Sequence, residues 1–183
     1  MNGPKRILLL DTGNEWGGGT NSMFELLKRI DREHFAVTCC FYTNYRKGKG
    51  GRLLSEELAE IGIPLLILPT EQQPLWAKLA KEIARGLLTW SARLKKRAVL
   101  AIEMRWRIEP RVIALKQVLA DGNFDLLYMN NQPASNLEGY LAGEALGLPV
   151  VQHCRIEPLL QANEVAIVNR VVSSIICVSR GVA

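Results

Sequence analysis

Six short apolar runs, each separated from the next by turn-rich or helix-period sequence, set what this 183-residue chain can fold into. They occupy residues 7–11, 35–42, 64–68, 124–129, 150–153 and 174–178. Runs this short and this apolar read as strands buried on both faces, and their alternation with helices is the pattern of a parallel sheet covered on both sides. Helical patterns lie at residues 20–30, 55–61, 110–120, 134–146 and 161–172, with Gly62 and Gly147 as C-caps and Pro110 at a first helical position. Crossovers between parallel strands are right-handed. The expected fold class is therefore α/β, a Rossmann-like three-layer sandwich around a mostly parallel central sheet, in one domain over residues 1–183. Ligands of such sheets bind at the carboxyl ends of the strands, here residues 12–19, 43–52, 130–135 and 153–158.

With 48% hydrophobic and 22% charged residues the chain has ordinary core-forming material, which argues against disorder. The longest stretches free of Asp, Glu, Lys and Arg run to 12 residues, short of the roughly 20 a spanning helix needs. Only four apolar residues follow Lys5 and Arg6 before Asp11, too few for a signal-peptide core. Cys39, Cys40, Cys154 and Cys177 show no C-x-x-C spacing, and no N-x-S/T sequon is present. Reduced thiols and a cytoplasmic location are expected.

The net charge of +5 is unevenly spread. Residues 76–107 carry nine lysines and arginines against Glu82 and Glu103, a local +7 that leaves the rest of the chain at −2. A localised excess is not a basic surface all over, so no nucleic-acid partner is expected. Within this segment Trp76, Leu79, Ile83, Leu87, Trp90 and Leu94 fall on one stripe of a single helix, with Lys78, Lys81, Arg85 and Lys96 opposite. Two readings fit. The stripe packs on the domain core beneath a solvated basic face, or Trp76, Lys78, Lys81, Arg85 and Trp90 meet the anionic head groups of a membrane.

Gly17-Gly18-Gly19 follows the first strand and precedes a helix, whose unpaired N–H groups would face an anion with no side chain in the way. The same glycines also suit a plain tight turn. Ser22 stands where a dinucleotide fingerprint needs its third glycine, and Lys49 is followed by Gly50 rather than Ser or Thr, so neither that fingerprint nor a P-loop is present. His153 ends the fifth strand, on the ligand-binding edge, where it is either a hydrogen-bonded structural residue or a ligand contact. There is no G-x-S-x-G elbow for a Ser-His-Asp triad, and His34, at the far end of the sheet, completes no metal site. No metal is expected.

Four pieces in this order resemble the N-terminal half of the GT-B glycosyltransferases, especially the retaining family 4 group. They are the strand and double-glycine loop at 7–19, the helix, Gly-Ile-Pro turn and strand at 53–68, the strand, helix and Gly-Leu-Pro turn at 125–149, and the strand ending in Val178-Ser179. The resemblance covers nearly the whole chain. It implies the acceptor-side domain of an enzyme that moves a sugar from a nucleotide sugar, its substrate rather than a bound cofactor, to a hydroxyl. The chain ends four residues after Ser179 with no E-x7-E motif following, so the C-terminal nucleotide-sugar-binding domain is expected to lie outside it. By the same resemblance Gly17, Gly18 and Gly19 contact the donor diphosphate through backbone N–H groups, and His153 hydrogen-bonds the transferred sugar near its reacting carbon. Arg155 serves the acceptor or a phosphate, and Asn130 and Asn131 belong to the acceptor site. Glu15 and Trp16 depart from the family pattern, offering a stacking face to an acceptor sugar or packing the loop. The basic helix occupies the region that docks on anionic lipid in membrane-associated members, which implies a lipid-linked or cell-envelope acceptor and a peripheral place on the inner membrane face. The alternative is a module that recruits a separate catalytic subunit to the membrane; a nucleotide-sugar oxidoreductase is disfavoured by the missing fingerprint.

Overall fold

The structure is a computed structural model that describes residues 3–69, 74–87, 89–158, 160 and 162–182. Its strands are β1 (Lys5–Asp11), β2 (Phe35–Phe41), β3 (Leu65–Ile67), β4 (Leu126–Met129), β5 (Val150–Cys154) and β6 (Val172–Cys177). They form one sheet in the order β3-β2-β1-β4-β5-β6, every pairing parallel. The helices are α1 (Gly18–Arg29), α2 (Leu54–Glu60), α3 (Leu75–Leu87), α4 (Ala92–Glu103), α5 (Glu109–Asp121), α6 (Leu137–Leu146) and α7 (Ala162–Val171). All six strands stand where the apolar runs put them, and the doubly wound α/β architecture is the expected one. The expected start of the last helix, Gln161, lies outside the described residues.

The period-2 alternation of the strands divides the interior into two cores. Leu9, Val37, Cys39 and Phe41 pack with Met23, Phe24 and Leu27 of α1 and Leu54 and Leu58 of α2. Leu8, Leu10, Cys40, Leu127, Met129 and Val150 turn the other way, onto α5, α6 and α7. Cys39 and Cys40 thus sit in different cores, and burial pushes both thiols up, Cys40 to about 12. Strand order reverses between β1 and β4, which places the crevice of a doubly wound sheet at their carboxyl ends. There the helices begin: α1 starts at Gly18, two residues earlier than its sequence pattern, so Gly18 and Gly19 belong to its first turn.

The basic segment departs from expectation. A single helix through residues 76–94 is replaced by a hairpin. Helix α3 ends at Leu87, Trp90 lies in the turn, and Ser91 caps α4, its hydroxyl accepting from the Leu94 N–H at 3.4 Å. A serine at this point offers the chain an N-cap that competes with continuing the helix. Small side chains decide which face of α3 turns inward: Ala77 is buried, Ala80 and Ala84 are partly so, and between them Lys81 reaches Glu103 of α4 at 3.5 Å. Lys81, expected on the outer basic face, is therefore only 14% exposed. The tryptophan and leucine stripe does not pack on the core. Leu87 and Trp90 are 70% and 74% exposed, and Trp76 stays more than half exposed although its ring meets Trp106 edge-on at 4.4 Å.

The hairpin returns through a π-helical turn, Met104–Ile108, into α5, whose Arg111 donates to the buried Glu138 carboxylate of α6 at 3.2 Å. The Tyr42 hydroxyl, just past β2, donates to the same oxygen at 2.7 Å, and Arg111 lies over the Tyr42 ring. This three-way contact fixes the base of the hairpin at the carboxyl rim of the sheet.

Gly143 brings α6 against β5. A Cβ there would lie 2.6 Å from Val150 Cγ2, whose branched side chain has little freedom to withdraw. Gly143→Ala is expected to lower the unfolding free energy by about 1–3 kcal/mol, measured by urea titration. Gly86→Ala on α3, where a Cβ meets nothing within 4 Å, serves as the control that shows no such loss.

Candidate functional site at the carboxyl rim

The orientation of His153 is set by its neighbour. Gln152 is fully buried on the α6 side, where its Oε1 accepts from the Tyr140 hydroxyl at 2.5 Å. Its amide nitrogen donates to the carbonyls of Asn131 and, at 3.0 Å, of His153. Alternation then sends Val151 and His153 to the opposite face. On that face the buried core lies over β1 and β2, beneath α1 and α2. Beyond it Tyr128, Val151 and His153 are only half-buried, and Ile176, the β6 partner of His153, is exposed. The Tyr128 hydroxyl lies 2.7 Å from His153 Nδ1.

Beside this strip the rim carries a polar chain. Asp11, at the end of β1, is 6% exposed and accepts from the Gly13 N–H at 2.7 Å and from Asn130 Nδ2 at 2.6 Å. Asn130, 2% exposed, accepts in turn from Arg155 Nη2 at 2.6 Å. The Arg155 side chain then runs past Gly19, where a Cβ would come 3.7 Å from Arg155 Cδ. Helix α1 begins at the N-cap Gly17 with no side-chain cap bond and no acid in its first turn, and a Cβ at Gly17 or Gly18 would meet open space. The first-turn amides, the positive end of the helix dipole and a guanidinium thus share one place.

Burial, and then the charge of Arg155, holds the His153 imidazole below its ordinary value of 6.5, which favours the neutral ring. Burial raises Tyr128 and lowers Arg155, without discharging a guanidinium at any working pH. Around His153 the rim therefore offers hydrogen-bond donors and the charge of Arg155, a set that suits a hydroxyl-rich anion.

The structure brings Gly17, Gly18, Gly19, Asn130, Arg155 and His153 to one rim. Asn131 is engaged within it, donating to Thr12 Oγ1 at 2.9 Å. Glu15 is exposed. Trp16 turns toward α1 and α2: its ring stacks on Phe24 at 5.1 Å, Lys47 stands over it at 5.0 Å, and its N–H donates to Asn21 at 2.8 Å. Of its two readings, packing the loop describes its surroundings. Asp11, Tyr128 and Gln152 are site residues that the sequence by itself does not mark. An acid closing an apolar strand is the visible signal for Asp11; Tyr128 and Gln152 look like ordinary strand residues until the register is known.

No protein-family model matches the chain, and no curated protein matches it in sequence. Solved structures resemble it in fold. Anabaena HepE, in complex with UDP, is 18% identical with a TM-score of 0.57, over 97% of this chain and 38% of its own. A UDP-N-acetylglucosamine 2-epimerase is 11% identical with a TM-score of 0.53, over 98% and 43%. Medicago truncatula UGT71G1, complexed with UDP-glucose, is 13% identical with a TM-score of 0.50, over 82% and 29%. The chain spans less than half the length of each. The likeness shows the fold, that of a GT-B half-domain.

Asn130 joins Asp11 to Arg155. Asn130→Ala removes one of the donors to the buried Asp11 carboxylate and unties Arg155, and is expected to destabilise the fold by about 1–3 kcal/mol. Chemical denaturation checks it; a loss within error would mean that the Asp11–Asn130–Arg155 chain carries no weight.

Proposed function

We propose that this chain is the acceptor-side domain of a family 4-like GT-B glycosyltransferase, moving a sugar from a nucleotide-sugar donor to a hydroxyl. The observation that carries this reading is the meeting of an uncapped, glycine-lined helix start with Arg155, two residues from a neutral imidazole on the same rim. Amides and a dipole fixed in advance stabilise the charge that grows on a departing nucleoside diphosphate without having to reorganise. In this reading Gly17, Gly18 and Gly19 hold the diphosphate and Arg155 adds its charge. His153 hydrogen-bonds the transferred sugar, and Asn130, Asn131 and Glu15 border the acceptor. Neither metal nor cofactor takes part. A second domain supplies most of the donor's binding surface, and without it the gain from positioning is lost.

The exposed hairpin favours an acceptor at a membrane. Its apolar stripe, Trp76, Leu79, Ile83, Leu87 and Trp90, faces outward beside Lys78 and Arg85 and rises from the rim that holds the site. Aromatic and aliphatic side chains flanked by cations suit the interface of an anionic bilayer. No helix among the described residues is long and apolar enough to cross one. A peripheral place on the cytoplasmic face and a lipid-linked or cell-envelope acceptor follow from this reading. The same hairpin would serve the alternative, recruitment of a separate catalytic subunit.

Two measurements test these proposals. With the donor-binding domain present, His153→Ala is expected to lower kcat/KM for sugar transfer at least tenfold, about 1.4 kcal/mol of transition-state stabilisation; unchanged transfer returns His153 to a structural role. The chain is expected to sediment with vesicles containing phosphatidylglycerol and not with pure phosphatidylcholine, and Lys78→Ala to weaken that binding roughly fivefold, about 1 kcal/mol for one cation. Equal sedimentation with both vesicle types would remove the electrostatic part of the proposal.

A further inference from the structure

His153 stands in a geometry that selects its proton. Its Nδ1 lies 2.7 Å from the Tyr128 hydroxyl, and Nε2 has no partner among the described residues. The two residues sit on adjacent strands, on the same face: Tyr128 pairs with Val151, and His153 is two positions further along. The phenol ring stands edge-on to the imidazole, 6.0 Å between centroids and 82° between planes, and packs against the core beneath α1. Other than Tyr128 from β4, the titratable or charged group acting on the imidazole is Arg155, just past the end of its own strand; β6 presents Ile176.

Either group of the pair can donate, the phenol O–H to a bare Nδ1 or an Nδ1–H to the phenol oxygen. The second arrangement leaves the half-buried Tyr128 O–H with no acceptor among the described residues, which a partly desolvated group tolerates poorly. The first satisfies the hydroxyl and leaves one N–H, that of Nε2, for a ligand. Arg155 favours the first as well. Anchored on Asn130 at 2.6 Å, its charge acts on both Tyr128 and His153. A nearby cation draws the phenol oxygen's lone pairs toward itself and so turns the O–H away, toward the imidazole, while opposing a second proton on the ring.

We infer that Tyr128 is a positioning residue for His153: its hydroxyl donates to Nδ1 and fixes the neutral imidazole as the Nε2–H tautomer, with that N–H left for the ligand. The rim then reads its ligand at this point with a donor, which selects an oxygen that can accept and turns away an N–H. That this oxygen belongs to the transferred sugar rests on the proposed glycosyl transfer; the tautomer does not.

The chain has two histidines, and the other, His34, is exposed beside Asp31, so His34→Gln leaves a single imidazole for 15N NMR of the 183-residue protein. Above the titration midpoint, Nδ1 is expected to show the shift of an unprotonated, hydrogen-bonded nitrogen and Nε2 that of a protonated one. Tyr128→Phe keeps the ring and removes the donor. It is expected to move the Nδ1 resonance toward its free value and to raise the His153 midpoint by roughly half a unit to one unit, because the lost bond favoured the neutral form. A wild-type proton on Nδ1 would overturn the inference, whether or not Tyr128→Phe folds; so would a folded Tyr128→Phe protein with the Nδ1 shift and midpoint unmoved. The expected tautomer together with full transfer by His153→Ala would sink the sugar-binding role proposed for His153 and leave the tautomer assignment standing.

Discussion

The site depends on one buried amide. Gln152 is sealed on the α6 side of the sheet, and its hydrogen bonds to Tyr140 and to the carbonyls of Asn131 and His153 leave it one orientation. A strand cannot turn one residue without turning the next, so fixing Gln152 inward fixes His153 outward. Without that lock the carboxyl end of β5 would keep its backbone pairing with β6 and lose control of where its imidazole points. The same hydrogen bonds tie β5 to the loop after β4, so that Asn130 and Arg155, each just past the end of one of these neighbouring strands, meet at a fixed separation.

Around that lock the rim is assembled from groups that each have one job. Asp11 is a carboxylate at the ligand edge of the sheet, where a free negative charge would repel an anion. Its two oxygens are directed to Gly13 and Asn130 instead, and the guanidinium that Asn130 orients is delivered to the start of α1. Glycines at 17 to 19 keep that helix start bare. The strand-order reversal between β1 and β4 leaves room for the arrangement, because the connections from these two strands leave in opposite directions.

The helical hairpin shows that an amphipathic period leaves open which face of a helix turns inward. The period puts Trp76, Leu79, Ile83 and Leu87 on one face of α3, which they occupy, while Trp90 and Leu94 lie beyond its end. It could not say which face turns inward, since Ala77, Ala80 and Ala84 form an adjacent stripe narrow enough for close helix contact. Lys81, beside that stripe, meets Glu103 of α4, and the tryptophans and leucines are left outside. The break at Ser91 belongs to the same question, because a cap residue ends a helix only where a partner for the returning chain exists.

Local sequence determined the six strands, most helix boundaries to within a few residues, the parallel sheet and the glycine-lined start of α1. These follow from hydrophobic period, turn residues and the fixed hand of crossovers, all of which act over short spans of chain. Tertiary structure alone decided that Tyr128 would meet His153, that Asn130 would carry Asp11's influence to Arg155 and that the apolar face of α3 would look outward. Each of these joins residues from different elements, and depends on strand register and on which of two helix faces finds a neighbour. Composition and period are silent on both, because every strand has two faces and its own residues do not say which strand will lie beside it, or at what offset.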